Sequence, residues 1–132
     1  MMRLLVIVMG LFWATAGETE TPMNAQTFDE YTRGKTLYFY NNGRAYGVEQ
    51  YFPNQRVQWS FLDGKCNEGE WYQQGRFICF IYADNPNPQC WTFFEEQNGL
   101  RALFQDDPSQ TELYETTDSD EDMMCLGPEV GV

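Results

Sequence analysis

The chain has 132 residues, of which 20 are acidic and 8 basic, giving a net charge of −12 at neutral pH, and it contains no histidine. Such acidity repels phosphate backbones and argues against nucleic-acid binding. The missing histidine removes Ser–His and Cys–His catalysis and the commonest zinc ligand.

The first residues read MMRLLVIVMGLFWATAGETE. Arg3 is a basic start, Leu4 to Trp13 an apolar run, and Ala14-Thr15-Ala16 a small-residue cleavage site, so residues 1–16 are expected to be a secretory signal peptide. An uncleaved anchor is the other reading, but the run is only about half of the roughly 20 residues that span a bilayer. No cysteine follows the run to carry a lipid, and no later segment is apolar enough to cross a membrane. The expected location is therefore periplasmic or secreted, with no membrane attachment after cleavage. Cleavage removes only Arg3 from the charges and leaves 7 basic residues against 20 acidic ones. Four cysteines in an exported chain form an even set and predict two disulfides.

Residues 17–23 are polar and expected to be a flexible linker. Asn24 to Arg33 predicts a short helix: Asn24 is a good N-cap, Ala25, Phe28 and Tyr31 recur at helical spacing, and Gly34 sits where a terminating glycine belongs. So short a helix must dock on something larger, here an end or face of a sheet. Thr36 to Asn41 and Arg44 to Phe52 predict a hairpin around Asn42-Gly43, a strong two-residue turn. An uninterrupted register sets Leu37 against Val48, Phe39 against Tyr46, Tyr38 against Gly47 and Tyr40 against Ala45.

After a turn at Pro53-Asn54-Gln55, Arg56 to Leu62 alternates, with Val57, Trp59 and Phe61 on one face. Asp63-Gly64 turns the chain into a short strand, Gly69 to Gln73, which carries Trp71. Phe77 to Tyr82 is apolar on both faces, as expected of a central strand or one whose second face the N-terminal helix covers. A proline-bearing loop, Ala83 to Gln89, leads to a strand at Cys90 to Glu96. Asn98-Gly99 predicts a further turn that brings Glu96 against Arg101 in the strand Leu100 to Gln105. Glu112 to Glu115 predicts a last short strand.

These elements describe a mostly β domain over residues 24–116. It is a small antiparallel meander that closes into a barrel, or alternatively a two-sheet sandwich, with one short N-terminal helix. Residues 117–132 form an acidic tail tethered by a disulfide. Cys79 and Cys90 fall on consecutive strands, where a bond would close a short hairpin and leave Cys66 to join Cys125. The rival scheme joins Cys66 to Cys79 and Cys90 to Cys125.

The pattern F-x-x-Y-x-x-G-K-T-L-x-Y (Phe28 to Tyr40) is followed by Y-G-x-E-x-Y from Tyr46. Next come D-G-x-C-x-x-G-x-W from Asp63, I-C-F-x-Y from Ile78, Cys90-Trp91 and a closing Gly-Pro-x-Val-Gly-Val. Together these resemble a group of small exported bacterial proteins of unknown function. The resemblance implies export and a β-rich fold and brings no catalytic residue.

The chemistry in the sequence is sparse. Glu68 and Glu70 share a strand face, whereas Glu95 and Glu96 point to opposite faces. Paired carboxylates of this kind can hydrolyse glycosides where they converge in a cleft. Asp118, Asp120 and Asp122 occupy positions 1, 3 and 5 of a calcium-loop pattern with Glu129 at position 12. Met123 replaces the glycine that the turn at position 6 requires, so the run is expected to be a solvated tail. Tyr38, Tyr40 and Tyr51 oppose the Leu37/Phe39 face and are the candidate surface or ligand-binding aromatics. No cofactor is expected. The expected function is an exported, non-enzymatic domain that binds a ligand or partner. Two alternatives are an inhibitor or binder of a cationic exported protein such as a lysozyme-type enzyme, approached through the loop Asn85-Pro86-Asn87-Pro88, and a carboxylate-based hydrolase.

Overall fold

Alternating apolar and polar residues, broken by turn residues, produce eight antiparallel strands and one helix in the computed structural model, which describes residues 10, 20–119 and 123–125. Helix α1 (Ala25–Thr32) is followed by β1 (Thr36–Asn41), β2 (Arg44–Phe52), β3 (Arg56–Ser60) and β4 (Asn67–Gln74). Then come β5 (Phe77–Tyr82), β6 (Asn85–Glu96), β7 (Gly99–Phe104) and β8 (Glu112–Ser119). Each strand pairs with its sequence neighbours, and β8 returns to pair with β1, so the sheet closes into a barrel. Closure leaves no edge strand among them and decides for the barrel over the sandwich. β8 extends beyond the expected strand and takes in residues 117–119 of the expected tail. Residues 1–9 and 11–16 of the expected signal segment, 17–19 of the linker, and 120–122 and 126–132 of the tail lie outside the described residues.

The first hairpin corrects the uninterrupted register. Tyr40 does lie opposite Ala45 across the Asn42-Gly43 turn, but a β-bulge then shifts the pairing. Phe39 meets Gly47, Tyr38 meets Val48 and Leu37 meets Glu49. The extra residue is Tyr46. Side chains alternate strictly along a strand, so one inserted residue exchanges the two faces beyond it. Gly47, Glu49 and Tyr51 therefore share the inward face of Leu37 and Phe39, and Val48 and Gln50 turn outward. The close approach at Gly47 is filled by a ring: a Cβ there would lie 2.2 Å from the Trp59 ring and 2.7 Å from the Ser60 carbonyl.

Two further hairpins depart from expectation. The proline segment is not a loop but the start of β6. The chain turns at Ala83-Asp84, with Tyr82 opposite Asn85, and an irregularity in the pairing separates that contact from Phe80 opposite Gln89. The irregularity takes up Pro86 and Pro88, which lack the amide a regular ladder needs. The turn between β6 and β7 is Gln97-Asn98, so Arg101 faces Phe94 and not Glu96. Its guanidinium still reaches Glu96 at 2.5 Å, lies over the Phe94 ring, and pairs with Glu20.

α1 is capped as its sequence predicts. Asn24 accepts from the Thr27 amide at 2.9 Å, and the Thr27 hydroxyl accepts from the Asn24 amide at 3.0 Å. The helix does not cover the second face of β5; it closes one end of the barrel. Phe28 is fully buried and its ring meets those of Trp71 at 5.0 Å, Tyr51 at 5.6 Å and Phe93 at 4.6 Å. Residues 20–23 of the expected linker are tied down as well: Met23 is buried, and its amide donates to the Phe93 carbonyl. The Tyr31 hydroxyl and the Leu100 amide both donate to Glu115 Oε2 at 2.7 Å, which fastens the helix to β7 and β8. The outer face of β5 carries exposed Ile81 and the buried Cys79.

Cys79 is bonded to Cys90 directly across β5 and β6, and Cys66 is bonded to Cys125. The second bond holds the tail against the outside of β2, where the Met123 amide donates to Gln50 Oε1 at 3.0 Å and both residues are buried.

Candidate functional site

With α1 closing one end, the other end of the barrel is open. It is framed by the β1–β2, β3–β4, β5–β6 and β7–β8 connections. A cavity of about 190 Å3 runs inward from it. Eight-stranded barrels are just wide enough for their side chains to fill or to hold one small ligand, and here space remains above the plug.

Aromatic rings make up most of the wall. On one side Tyr46, Trp59 and Phe61 lean together, with ring centroids 5.9 Å, 5.8 Å and 5.3 Å apart. On another, Tyr82 stacks on Phe80 at 6.3 Å, and Trp91 continues the wall. Tyr51 and Phe93 form the floor against Phe28. Phe61 is 57% exposed and stands at the mouth. The strand alternation that places Val57 and Trp59 inside carries Phe61 to the same side just beyond the end of β3. Gly69 lets Tyr82 lie flat, since a Cβ there would come within 2.7 Å of that ring.

Within this apolar wall lies one buried acid. Glu49 is 1% exposed. Its Oε1 accepts from the Tyr82 hydroxyl at 2.8 Å, and its Oε2 has no hydrogen-bond partner among the described residues. A buried oxygen left bare costs about 1–3 kcal/mol. Such an atom needs a reason, and Glu115, the other buried inward acid, shows the contrast by accepting from two donors. Burial pushes the Glu49 carboxyl well above the ordinary glutamate range, opposed only in part by the Tyr82 bond. Burial also pushes the Tyr82 and Tyr51 hydroxyls well up, helped by the nearby Glu49 charge. The other acid of the lining, Asp84, is exposed at the mouth, and no lysine or arginine stands among the described lining residues.

The raised Glu49 value has a consequence for stability. The folded chain holds this proton more tightly than the unfolded chain, which titrates near 4.3. Below that value Glu49 costs nothing by this route. As pH rises through the interval up to the raised folded value, ionisation progressively destabilises the fold. Urea unfolding of the wild type and of Glu49→Gln from about pH 5 upward is expected to show the wild type losing ground as pH increases, with a slope of at most about 1.4 kcal/mol per pH unit. A gap between the two proteins that is independent of pH would refute the assignment.

The residues singled out from sequence are distributed differently. Tyr51 is buried inside the barrel and lines the cavity, because the bulge at Tyr46 gives it the face of Leu37 and Phe39 and not the opposite one. Tyr38 and Tyr40 stay on the outer face, half-buried and away from the cavity. Glu68, Glu70, Glu95 and Glu96 are exposed and do not converge on it. Asp118 lies on β8, opposite Leu37, whereas Asp120, Asp122 and Glu129 fall outside the described residues. Among the described residues no three acids or cysteines come together as a metal site. Glu49 itself was not a sequence candidate, since the uninterrupted hairpin register turns it outward. The available signs were an acid between Val48 and Tyr51 and the strand glycine Gly47, which can mark a bulge.

The fold and cavity define a class: a disulfide-bonded, eight-stranded up-and-down barrel, plugged by a helix at one end and open at the other onto an aromatic pocket with a buried carboxyl. Beyond that class, no family model, curated protein or solved structure matches the chain. Two disulfides and no free cysteine fit an oxidising compartment outside the cytoplasm. Among the described residues no helix is long and apolar enough to cross a membrane.

Proposed function

We propose that the protein is an exported, non-enzymatic binding barrel that takes one small, largely apolar ligand through the open end. The observation that carries this reading is the aromatic cavity of about 190 Å3 above the Phe28 plug. Its size selects the ligand. An apolar cavity of about 150 Å3 suffices for benzene, so this one suits a compound of one ring, or one ring with a short chain, and is too small for a fatty acid or a sterol. Mostly apolar walls with a few placed polar groups are the usual make-up of a ligand site. The periplasm, or the medium beyond it, is the compartment that the apolar leader and the disulfides favour, and the resemblance to small exported bacterial proteins agrees with it.

The alternative, a binder of a cationic exported protein such as a lysozyme-type enzyme, keeps its support from the acidity but loses the rigid loop it relied on, because residues 85–88 belong to β6. The cavity reading is tested with indole, toluene and 2-phenylethanol. Trp59 and Trp91 line the cavity, so saturable one-to-one binding should change the tryptophan emission. Ala102 is buried on the same wall. Filling space there with Ala102→Leu should weaken binding about tenfold or more. Unchanged emission with all three compounds at millimolar concentration would sink the reading.

A further inference from the structure

The bare oxygen of Glu49 says what the ligand carries. We infer that the cavity takes a small aromatic amine, with its ammonium group on Glu49 Oε2 and its ring among the aromatic side chains. This inference rests on the ligand-binding reading above and adds the chemical class.

The unpartnered carboxyl oxygen, the surrounding rings and the sign of the charge favour a cation. Glu49 lines the cavity, its Oε1 is already committed to the Tyr82 hydroxyl, and its buried Oε2 has no partner among the described residues; as a carboxylate it can only accept, so the partner that fits the ionised form is a hydrogen-bond donor. Ammonium groups are donors only, with no lone pair to set against the carboxyl. The rings that surround the space present π-faces, and a cation held near such faces gains about 0.5–2 kcal/mol over a neutral group. Tyr46, Trp59 and Phe61 stand together on one side of the mouth and Tyr82 on another, as an amine-binding cage requires. Finally, the charges are of one sign. The second acid of the wall is Asp84 at the mouth, no basic side chain is among the described lining residues, and the whole chain is acidic. A carboxylate-bearing ligand would meet Glu49, Asp84 and a net negative field without a counter-ion, whereas an amine is steered inward.

The same geometry gives the binding a direction in pH. In the ligand-free barrel burial disfavours the Glu49 anion and so favours its protonated form. Tyr82 from β5 donates to it and Tyr51 on β2 lies in its field, while Tyr46 on β2 bears on Tyr82 and Glu115 on β8 bears on Tyr51. None of them is cationic. An arriving ammonium group stabilises the carboxylate, so binding releases the Glu49 proton. Affinity for an amine therefore rises with pH across the interval in which free Glu49 is protonated, until the amine itself begins to lose its charge. A neutral ligand of the same shape lacks this dependence.

Isothermal titration with three isosteres separates the possibilities: 2-phenylethylamine, 2-phenylethanol and phenylacetate. The wild-type protein is expected to bind the amine at least tenfold more tightly than the alcohol near pH 7.5 and to leave phenylacetate unbound. The preference should shrink as pH is lowered toward 5. In Glu49→Gln, the amine and alcohol should bind within about twofold of each other. If that variant does not fold, the pH series on the wild type is decisive by itself. Equal affinity for amine and alcohol at every pH overturns the amine assignment but leaves the cavity as a ligand site. Tighter binding of phenylacetate overturns it as well. Absence of binding by all three overturns both the assignment and the reading on which it rests.

Discussion

Replacing Phe28 by alanine is expected to destabilise the barrel by about 3–5 kcal/mol, the range for removing a large buried ring. Phe28 is 0% exposed and packs against Tyr51, Trp71, Phe80 and Phe93, which come from four different strands. Those strands belong to the closed sheet, so they have little freedom to collapse into the space left behind, and the larger end of the range applies. Total stability of small domains is about 5–15 kcal/mol, so the change is a large part of it. The same substitution would remove the ring that backs the cavity floor of Tyr51 and Phe93 and leave space beneath it toward α1. Urea unfolding followed by tryptophan emission measures the loss, with Phe61→Ala as a control, since Phe61 is 57% exposed at the mouth. A loss below about 1 kcal/mol for Phe28→Ala, comparable to the control, would mean that the helix is not the plug.

Removing the Cys66–Cys125 bond as Cys66→Ser/Cys125→Ser is expected to cost about 4 kcal/mol, against about 3 kcal/mol for the Cys79–Cys90 bond. The difference follows from loop length. The first bond spans 59 residues and the second 11, and the longer closed loop restricts the unfolded chain more. The two bonds also differ in what they do for the folded chain. Cys79–Cys90 reinforces strands that are already paired, whereas Cys66–Cys125 is what brings Met123 onto Gln50. Without it the covered outer face of β2 should open. Hydrogen exchange is therefore expected to show lost protection of the Met123 amide together with a lower urea midpoint. A double variant with an unchanged midpoint and a protected Met123 amide would show that packing alone holds the tail.

A good part of the architecture is local chemistry. Turns at Asn42-Gly43 and Pro53-Asn54-Gln55, alternation at Val57 and Trp59, and the Asn24 cap act over a few residues, so each can be read without knowing the rest of the chain. Strand spans such as Phe77–Tyr82 follow for the same reason. Pairing Cys79 with Cys90 follows once β5 and β6 are taken as consecutive, because consecutive strands lie side by side in an antiparallel meander.

The site was not legible in this way. Glu49 faces the cavity because one residue, Tyr46, is bulged out of the pairing with β1, and the only local mark of the bulge is the strand glycine beside it, Gly47. It is accommodated because the Trp59 ring occupies the surface of Gly47. Tyr51 changes face for the same reason. The proline segment of β6 reads locally as a loop, since proline cannot join a regular ladder; only the pairing irregularity between β5 and β6 makes room for it. Export, two disulfides, the strands and the helix cap were thus expected from the sequence alone, on signals carried by neighbouring residues. Closure of β1 on β8, Phe28 as the plug and the inward turn of Glu49 were decided by the tertiary structure, because each depends on contacts between strands or between helix and barrel that no stretch of sequence contains.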